Sequence, residues 1–209
     1  MANIAAFAEH AGEYEKWFDE YHYVYESELA ALKLLLPGDG VGLEVGLGTG
    51  RFALPLGVKI GVEPSKAIGA IAQAKNLAVI RTVAEALPLP NGQFDYVLFV
   101  TVVCFLDSLA QAFAEAFRVV KTGGAVLIGL IDKNSPLGGE YEQRKNTSQF
   151  YREANFHSVE EVVFALTKAG FGDFTFAETV FKPVAEIQAI EPVKEGYGEG
   201  GFVVIRAMK

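Results

Sequence analysis

The chain has 209 residues, 51% of them hydrophobic, with a mean hydropathy of +0.24, which suits one domain that buries its own core and excludes a disordered chain. Its 18 Lys+Arg against 26 Asp+Glu leave a net charge of −8 and no dense basic run, which argues against a nucleic-acid partner and for a small or cationic ligand. The one cysteine, Cys104, excludes an internal disulfide and a structural zinc site; no metal-ligand spacing and no apolar run of membrane-spanning length occurs.

Residues 1–13 are Ala-rich but carry Glu9 and His10 and lack the basic start and cleavage pattern of a secretory signal, so a cytoplasmic location is expected. Over residues 14–36, Tyr14, Trp17, Phe18, Tyr21, Tyr25, Leu29, Leu32 and Leu36 recur at three- and four-residue steps, the apolar face of one amphipathic helix. That face has two readings, a cap over a ligand pocket or a plain core stripe. Pro37-Gly38-Asp39-Gly40 ends it.

A short apolar strand then runs into Gly46, Gly48 and Gly50, and a second, predicted over 58–63, ends at Glu63. Alternate glycines let the backbone approach a nucleoside-bearing ligand, and a carboxylate ending the next strand suits ribose hydroxyls. A dinucleotide fingerprint needs glycine at the sixth position from Gly46, which here is Arg51. Glu44, two residues before the turn, suits a cationic amino group better than a pyrophosphate.

Strands and helices alternate from there: a helix over 64–75, a strand over 78–82, a strand over 94–100, a helix over 109–121 and a strand over 125–131. Unbroken apolar strands between helices indicate a parallel sheet covered on both faces. Residues 132–157 break the pattern with a polar, aromatic-studded segment containing Tyr141 and Tyr151, expected to be a lid-like insertion. Ser158 and Glu161 have capping-box spacing for a helix that Gly170 stops, and two strands near 174–180 and 202–207 close an antiparallel pair. No second domain is visible within 1–209.

The stretch Glu44-Val45-Gly46-Leu47-Gly48-Thr49-Gly50 resembles the first motif of class I S-adenosylmethionine-dependent methyltransferases. Glu63 matches the acidic residue closing their second strand. Ala84-Glu85-Ala86-Leu87-Pro88-Leu89, Phe94-Asp95-Tyr96-Val97 and Arg118-Val119-Val120-Lys121-Thr122-Gly123-Gly124 are similar to later motifs of the large type 11 (UbiE/Coq5-like) family. The resemblance spans 41–131. It implies a three-layer Rossmann-like methyltransferase fold, a mostly parallel seven-stranded sheet with an antiparallel last strand, and S-adenosyl-L-methionine as cofactor with S-adenosyl-L-homocysteine as product. By the same resemblance, Gly46, Gly48 and Gly50 lie against the cofactor's sugar and amino-acid part, with Glu44 near its amino group. Glu63 takes the ribose hydroxyls, Ala84 and Glu85 sit at the adenine edge, and Val100 and Thr101 flank the methionine moiety. Two departures stand out: Val83 replaces a frequent Asp, and Cys104-Phe105 replaces a frequent His-His pair.

The resemblance leads to a methyltransferase acting by in-line displacement on a small-molecule acceptor, with no nucleic acid or membrane partner and a monomeric or homodimeric state. Its rivals are a non-catalytic binder of the same cofactor and an NAD-dependent oxidoreductase, against which Arg51 counts. Trp17, Tyr21, Tyr141 and Tyr151 are the candidate acceptor contacts. His22, at the edge of the aromatic face, is the candidate general base, with an exposed helix histidine as the alternative.

Overall fold

The computed structural model describes residues 4–209, so the first three residues of the N-terminal run lie outside the described residues. Three helices come first: α1 (Ile4–Glu9), α2 (Ala11–Glu20) and α3 (His22–Leu35). The helix expected over 14–36 is therefore two helices, divided at Tyr21, which leaves helical geometry at φ −105°, ψ 42°. The division has a packing cause. Leu29 and Leu32 lay α3 along the sheet, whereas Glu15 ties α2 to the glycine turn through Thr49 and Arg51 and to the end of α4 through Lys75, and one straight rod does not reach both.

The alternating part holds β1 (Gly42–Val45), β2 (Ile60–Val62), α4 (Lys66–Ala74), β3 (Ala78–Ile80), β4 (Phe94–Val100), α5 (Leu109–Val119) and β5 (Val120–Ile131). Ser65 and Ser108 cap α4 and α5, their hydroxyls accepting the orphan N–H groups of Ile68 and Gln111. The insertion is ordered around α6 (Pro136–Arg144), capped by Ser135 with Pro136 in the first turn. After it come α7 (Val159–Ala169), β6 (Gly172–Thr179), a two-residue β7 (Lys194–Glu195) and β8 (Phe202–Met208). The predicted capping box at Ser158 and Glu161 and the left-handed stop at Gly170 (φ 108°) are both present.

The sheet has eight strands in the order β3-β2-β1-β4-β5-β8-β6-β7, one more than expected, the addition being β7 inside the closing connection. The pairs from β3 to β5 are parallel; β8 runs antiparallel to both β5 and β6. Strand alternation divides the core. Tyr96, Leu98 and Val100 of β4 pack with Phe18, Leu29 and Leu32 of the N-terminal helices, while Val97 and Phe99 face Phe113 and Val162 of α5 and α7. This is the Rossmann-like methyltransferase architecture, and its ligand-binding edge is the one where β1, β2, β4 and β5 end. Among the described residues, no helix is long and apolar enough to cross a membrane.

Candidate functional site

At that edge β1 passes into a turn in which Gly46, Gly48 and Gly50 all have positive φ (76°, 56° and 83°). The amides of Gly46 and Leu47 both donate to the Val62 carbonyl, at 3.0 and 2.9 Å, which docks the turn on the end of β2. A Cβ on Gly46 would stand 2.4 Å from Val102 Cγ2, so crowding and backbone conformation both demand glycine there. Gly48 differs. A Cβ on it would meet nothing nearer than the Tyr14 hydroxyl at 3.6 Å, so this residue faces open space beneath that phenol.

The space is a cleft partly open to solvent. Of the sequence-derived cofactor residues, Gly46, Gly48, Glu63, Ala84, Glu85, Val100 and Thr101 line it. Gly50 is buried one residue further on, where a Cβ would clash with Leu77 at 2.2 Å. Glu44 is 1% exposed and stands behind the lining, with Oε2 buried and without a hydrogen-bond partner. Burial lifts the Glu44 pKa well above the carboxylate range, against a backbone hydrogen bond from Ala53.

Glu63 follows β2 and is 8% exposed. Its Oε2 accepts from Gly48 N at 3.0 Å and its Oε1 from Ser65 N at 2.8 Å, so one carboxylate ties the glycine turn to the start of α4. Burial raises its pKa, partly offset by those two N–H groups. Thr101 follows β4 at φ 52°, rare for a β-branched residue, and its amide donates to the Gly129 carbonyl at 2.8 Å. Glu85 lines the cleft while its Oε1 accepts from the amides of Asp107 and Ser108, at 2.9 and 3.3 Å, tying the loop after β3 to the start of α5.

Several lining residues lay outside the sequence-derived set: Tyr14, Phe7, Phe105, Ser65, Ile68 and Asp107. Phe7 packs on Phe105, Phe150 and Tyr14 with centroids 5.2, 5.1 and 5.6 Å apart, and Phe105 stacks on Tyr151 at 5.8 Å, so α1, α2 and the insertion meet in an aromatic wall. Tyr14 belongs to the aromatic face read from the sequence, four residues before Phe18, but only the tertiary fold sets it over Gly48. Asp107 has a weaker signal, its position directly before the α5 cap.

Tyr151 lines the cleft; Trp17, Tyr21, Tyr141 and His22 do not. Trp17 packs on Phe18 and Tyr21, and Tyr141 on Tyr151 and Phe156. His22 is exposed at the start of α3 and lies against Tyr23. Cys104 sits in a short 3-10 turn, Val103–Phe105, where burial pushes its thiol up to about 12 and the Sγ contacts the Thr101 carbonyl at 3.7 Å, a packing role.

A protein-family profile described as a methyltransferase domain matches residues 43–128, the part that builds this cleft. A Thermotoga maritima crystal structure, described as an S-adenosylmethionine-dependent methyltransferase and possible histamine N-methyltransferase, is 49% identical, with a TM-score of 0.96 over 98% of this chain and 99% of that one. The chain belongs to the class I S-adenosylmethionine-dependent methyltransferases, type 11 family. An uncharacterised protein of Methanocaldococcus jannaschii is 46% identical over 97% of this chain and 98% of its own length. The malonyl-[acyl-carrier protein] O-methyltransferase of Geobacter sulfurreducens is 31% identical over 74% of this methyltransferase and 65% of that protein.

The family implies S-adenosylmethionine, and the residues present fit it. The cofactor carries a cationic amino group and a sulfonium, and the site offers an orphaned buried carboxylate oxygen at Glu44, an open glycine at Gly48 and apolar aromatic faces at Phe7, Tyr14 and Phe105.

Proposed function

We propose that this methyltransferase moves a methyl group from S-adenosylmethionine to a small-molecule acceptor inside the cleft. The observation that carries this reading is the meeting of Glu63 with the glycine turn: a buried carboxylate, already holding Gly48 N–H, faces the cavity beside open backbone. When bound, the cofactor supplies a methyl group on a positively charged sulfur. Glu63 holds the ribose hydroxyls with its remaining lone pairs, and Glu44 receives the amino group. Val83, Ala84 and Ile68 form the apolar sides of the adenine slot, where Asp107 stands in for the carboxylate that Val83 replaces.

The chain's part in the chemistry is alignment and exclusion of water. Phe7, Tyr14 and Phe105 roof the cavity and stabilise cationic groups by ~0.5–2 kcal/mol each when desolvated. Tyr151 closes the acceptor side. Burial raises the pKa of the Tyr14 hydroxyl, with smaller contributions from nearby carboxylates, so the phenol stays neutral in the cleft. The Thermotoga relative, described as a possible histamine N-methyltransferase, makes a small amine the first acceptor to try.

Release of S-adenosylhomocysteine from S-adenosylmethionine, measured against a panel of small amines, alcohols and carboxylic acids, tests the reading. Turnover with a small acceptor is expected. Tight cofactor binding without turnover of any acceptor would favour the non-catalytic binder instead.

A further inference from the structure

S-adenosylmethionine carries a carboxylate beside its ammonium and sulfonium, and neither Glu44 nor Glu63 can receive it. Among the described residues the cleft lining holds no lysine, arginine or histidine, while Glu63, Glu85 and Asp107 make it acidic. Arg51 and Lys75 stand outside that lining, paired with Glu15 and, for Arg51, with Asp19. A glycine turn can meet an anion with backbone N–H groups, but this one has committed them. Gly46 and Leu47 donate to the Val62 carbonyl, Gly48 to Glu63 Oε2 and Gly50 to the Leu47 carbonyl, four of the turn's five amides. A carboxylate bound against this turn needs a donor from another element.

Tyr14 of α2 offers one. It lines the cleft, and its hydroxyl oxygen is the atom that a Cβ on Gly48 would approach most closely, at 3.6 Å, so the O–H end lies over the middle of the turn. The ring is clamped edge-to-face by Phe7, Phe18 and Phe150, with centroids 5.6, 5.1 and 6.2 Å away. A phenylalanine would satisfy all three of those contacts. The hydroxyl is the part that packing does not explain, since no hydrogen bond among the described residues meets it. Burial raises its pKa, so it keeps a proton to donate at any working pH.

We propose that the Tyr14 hydroxyl donates to the carboxylate at the cofactor's amino-acid end, taking the place of a basic side chain or of free turn amides. The proposal rests on the methyltransferase reading and makes Tyr14 a residue that positions the cofactor. An O–H donating to a carboxylate is a charge-assisted hydrogen bond, stronger than a neutral pair. A neutral donor also suits this cleft. A lysine or arginine at the same place would compete for Glu44 and Glu63, the groups that the ammonium and the ribose need.

The test is calorimetric titration of the parent protein and of Tyr14→Phe with two ligands. One is S-adenosylhomocysteine; the other is its decarboxylated analogue, which keeps the nucleoside, the sulfur and the amine. The parent should bind S-adenosylhomocysteine about tenfold tighter than the analogue, or more. Tyr14→Phe should weaken S-adenosylhomocysteine about tenfold and leave the analogue unchanged. Equal loss for both ligands would mark a packing role and overturn the assignment, as would no loss for either. An analogue that binds the parent as tightly as S-adenosylhomocysteine would overturn it too, and that comparison serves if the Phe variant does not fold. Failure of the parent protein to bind S-adenosylhomocysteine would instead strike the methyltransferase reading, and this proposal with it.

Discussion

Three buried carboxylates, at Glu28, Glu44 and Glu63, stand in different relations to their surroundings. Glu63 spends each oxygen on a backbone N–H; Glu44 keeps one oxygen orphaned; Glu28 has no partner among the described residues. Glu28 has a consequence for stability that can be measured without any ligand. Its carboxyl is held at about 8 in the fold against an ordinary 4.5, so between those values the native state keeps a proton that the unfolded chain gives up. Stability then falls as pH rises from about 4.5 to about 8 and levels off above. The phenols of Tyr14, Tyr141 and Tyr151 are raised by burial and stay neutral across this window. Glu28→Gln is neutral at every pH. Denaturant unfolding should show it more stable than the parent by several kcal/mol at about pH 8.5, shrinking towards zero near pH 5. An equal difference at both pH values would contradict the account of Glu28. Glu44 and Glu63 were legible in the sequence because each abuts a local motif. Glu28 was not, because nothing in its local sequence marks it: it sits between Ser27 and Leu29 on α3, and its burial comes from tertiary packing.

Among the elements, α2 carries most of the difference between the expected and observed site. Its apolar face was plain from the three- and four-residue spacing, but the break at Tyr21 has no proline or glycine to announce it. The break reflects two separate docking surfaces, one of which is ionic. Glu15 accepts from Thr49 and from Arg51 Nε at 3.0 Å, and pairs with Lys75 at 3.3 Å, clasping α2 to the cofactor turn and to the end of α4. That clasp holds Tyr14 over Gly48, whereas Trp17 and Tyr21 turn to Phe18 and to each other. Glu15→Gln should therefore raise amide hydrogen exchange across α1 and α2 and speed release of S-adenosylhomocysteine, at a cost of about 1 kcal/mol in global stability, since the network is partly exposed. Unchanged exchange in those helices would show that aromatic packing alone holds the cap. Among the strands, β4 has the predicted bounds because a continuous apolar run reports burial on both faces directly, whereas β5 begins at Val120, ahead of the predicted 125, through a polar stretch that carries no such signal. The two-residue β7 carries no such pattern and is made only by pairing with β6.

For the whole molecule, the fold puts a net charge of −8 to use locally. The carboxyl edge of the sheet gathers Glu44 and Glu63 around a glycine turn and Asp107 along the same cleft, and the N-terminal helices roof it with aromatic rings. On the proposed reading, such a site suits a cationic nucleoside cofactor better than a pyrophosphate. Calorimetric titration of S-adenosylhomocysteine into the parent protein and into Glu63→Ala, with NAD as the control ligand, tests this most directly. One molecule of S-adenosylhomocysteine should bind per chain with micromolar affinity, NAD should not bind, and Glu63→Ala should lose roughly 2–3 kcal/mol of binding while remaining folded. Binding of NAD alone, or an unchanged affinity in the folded Glu63→Ala variant, would contradict the account.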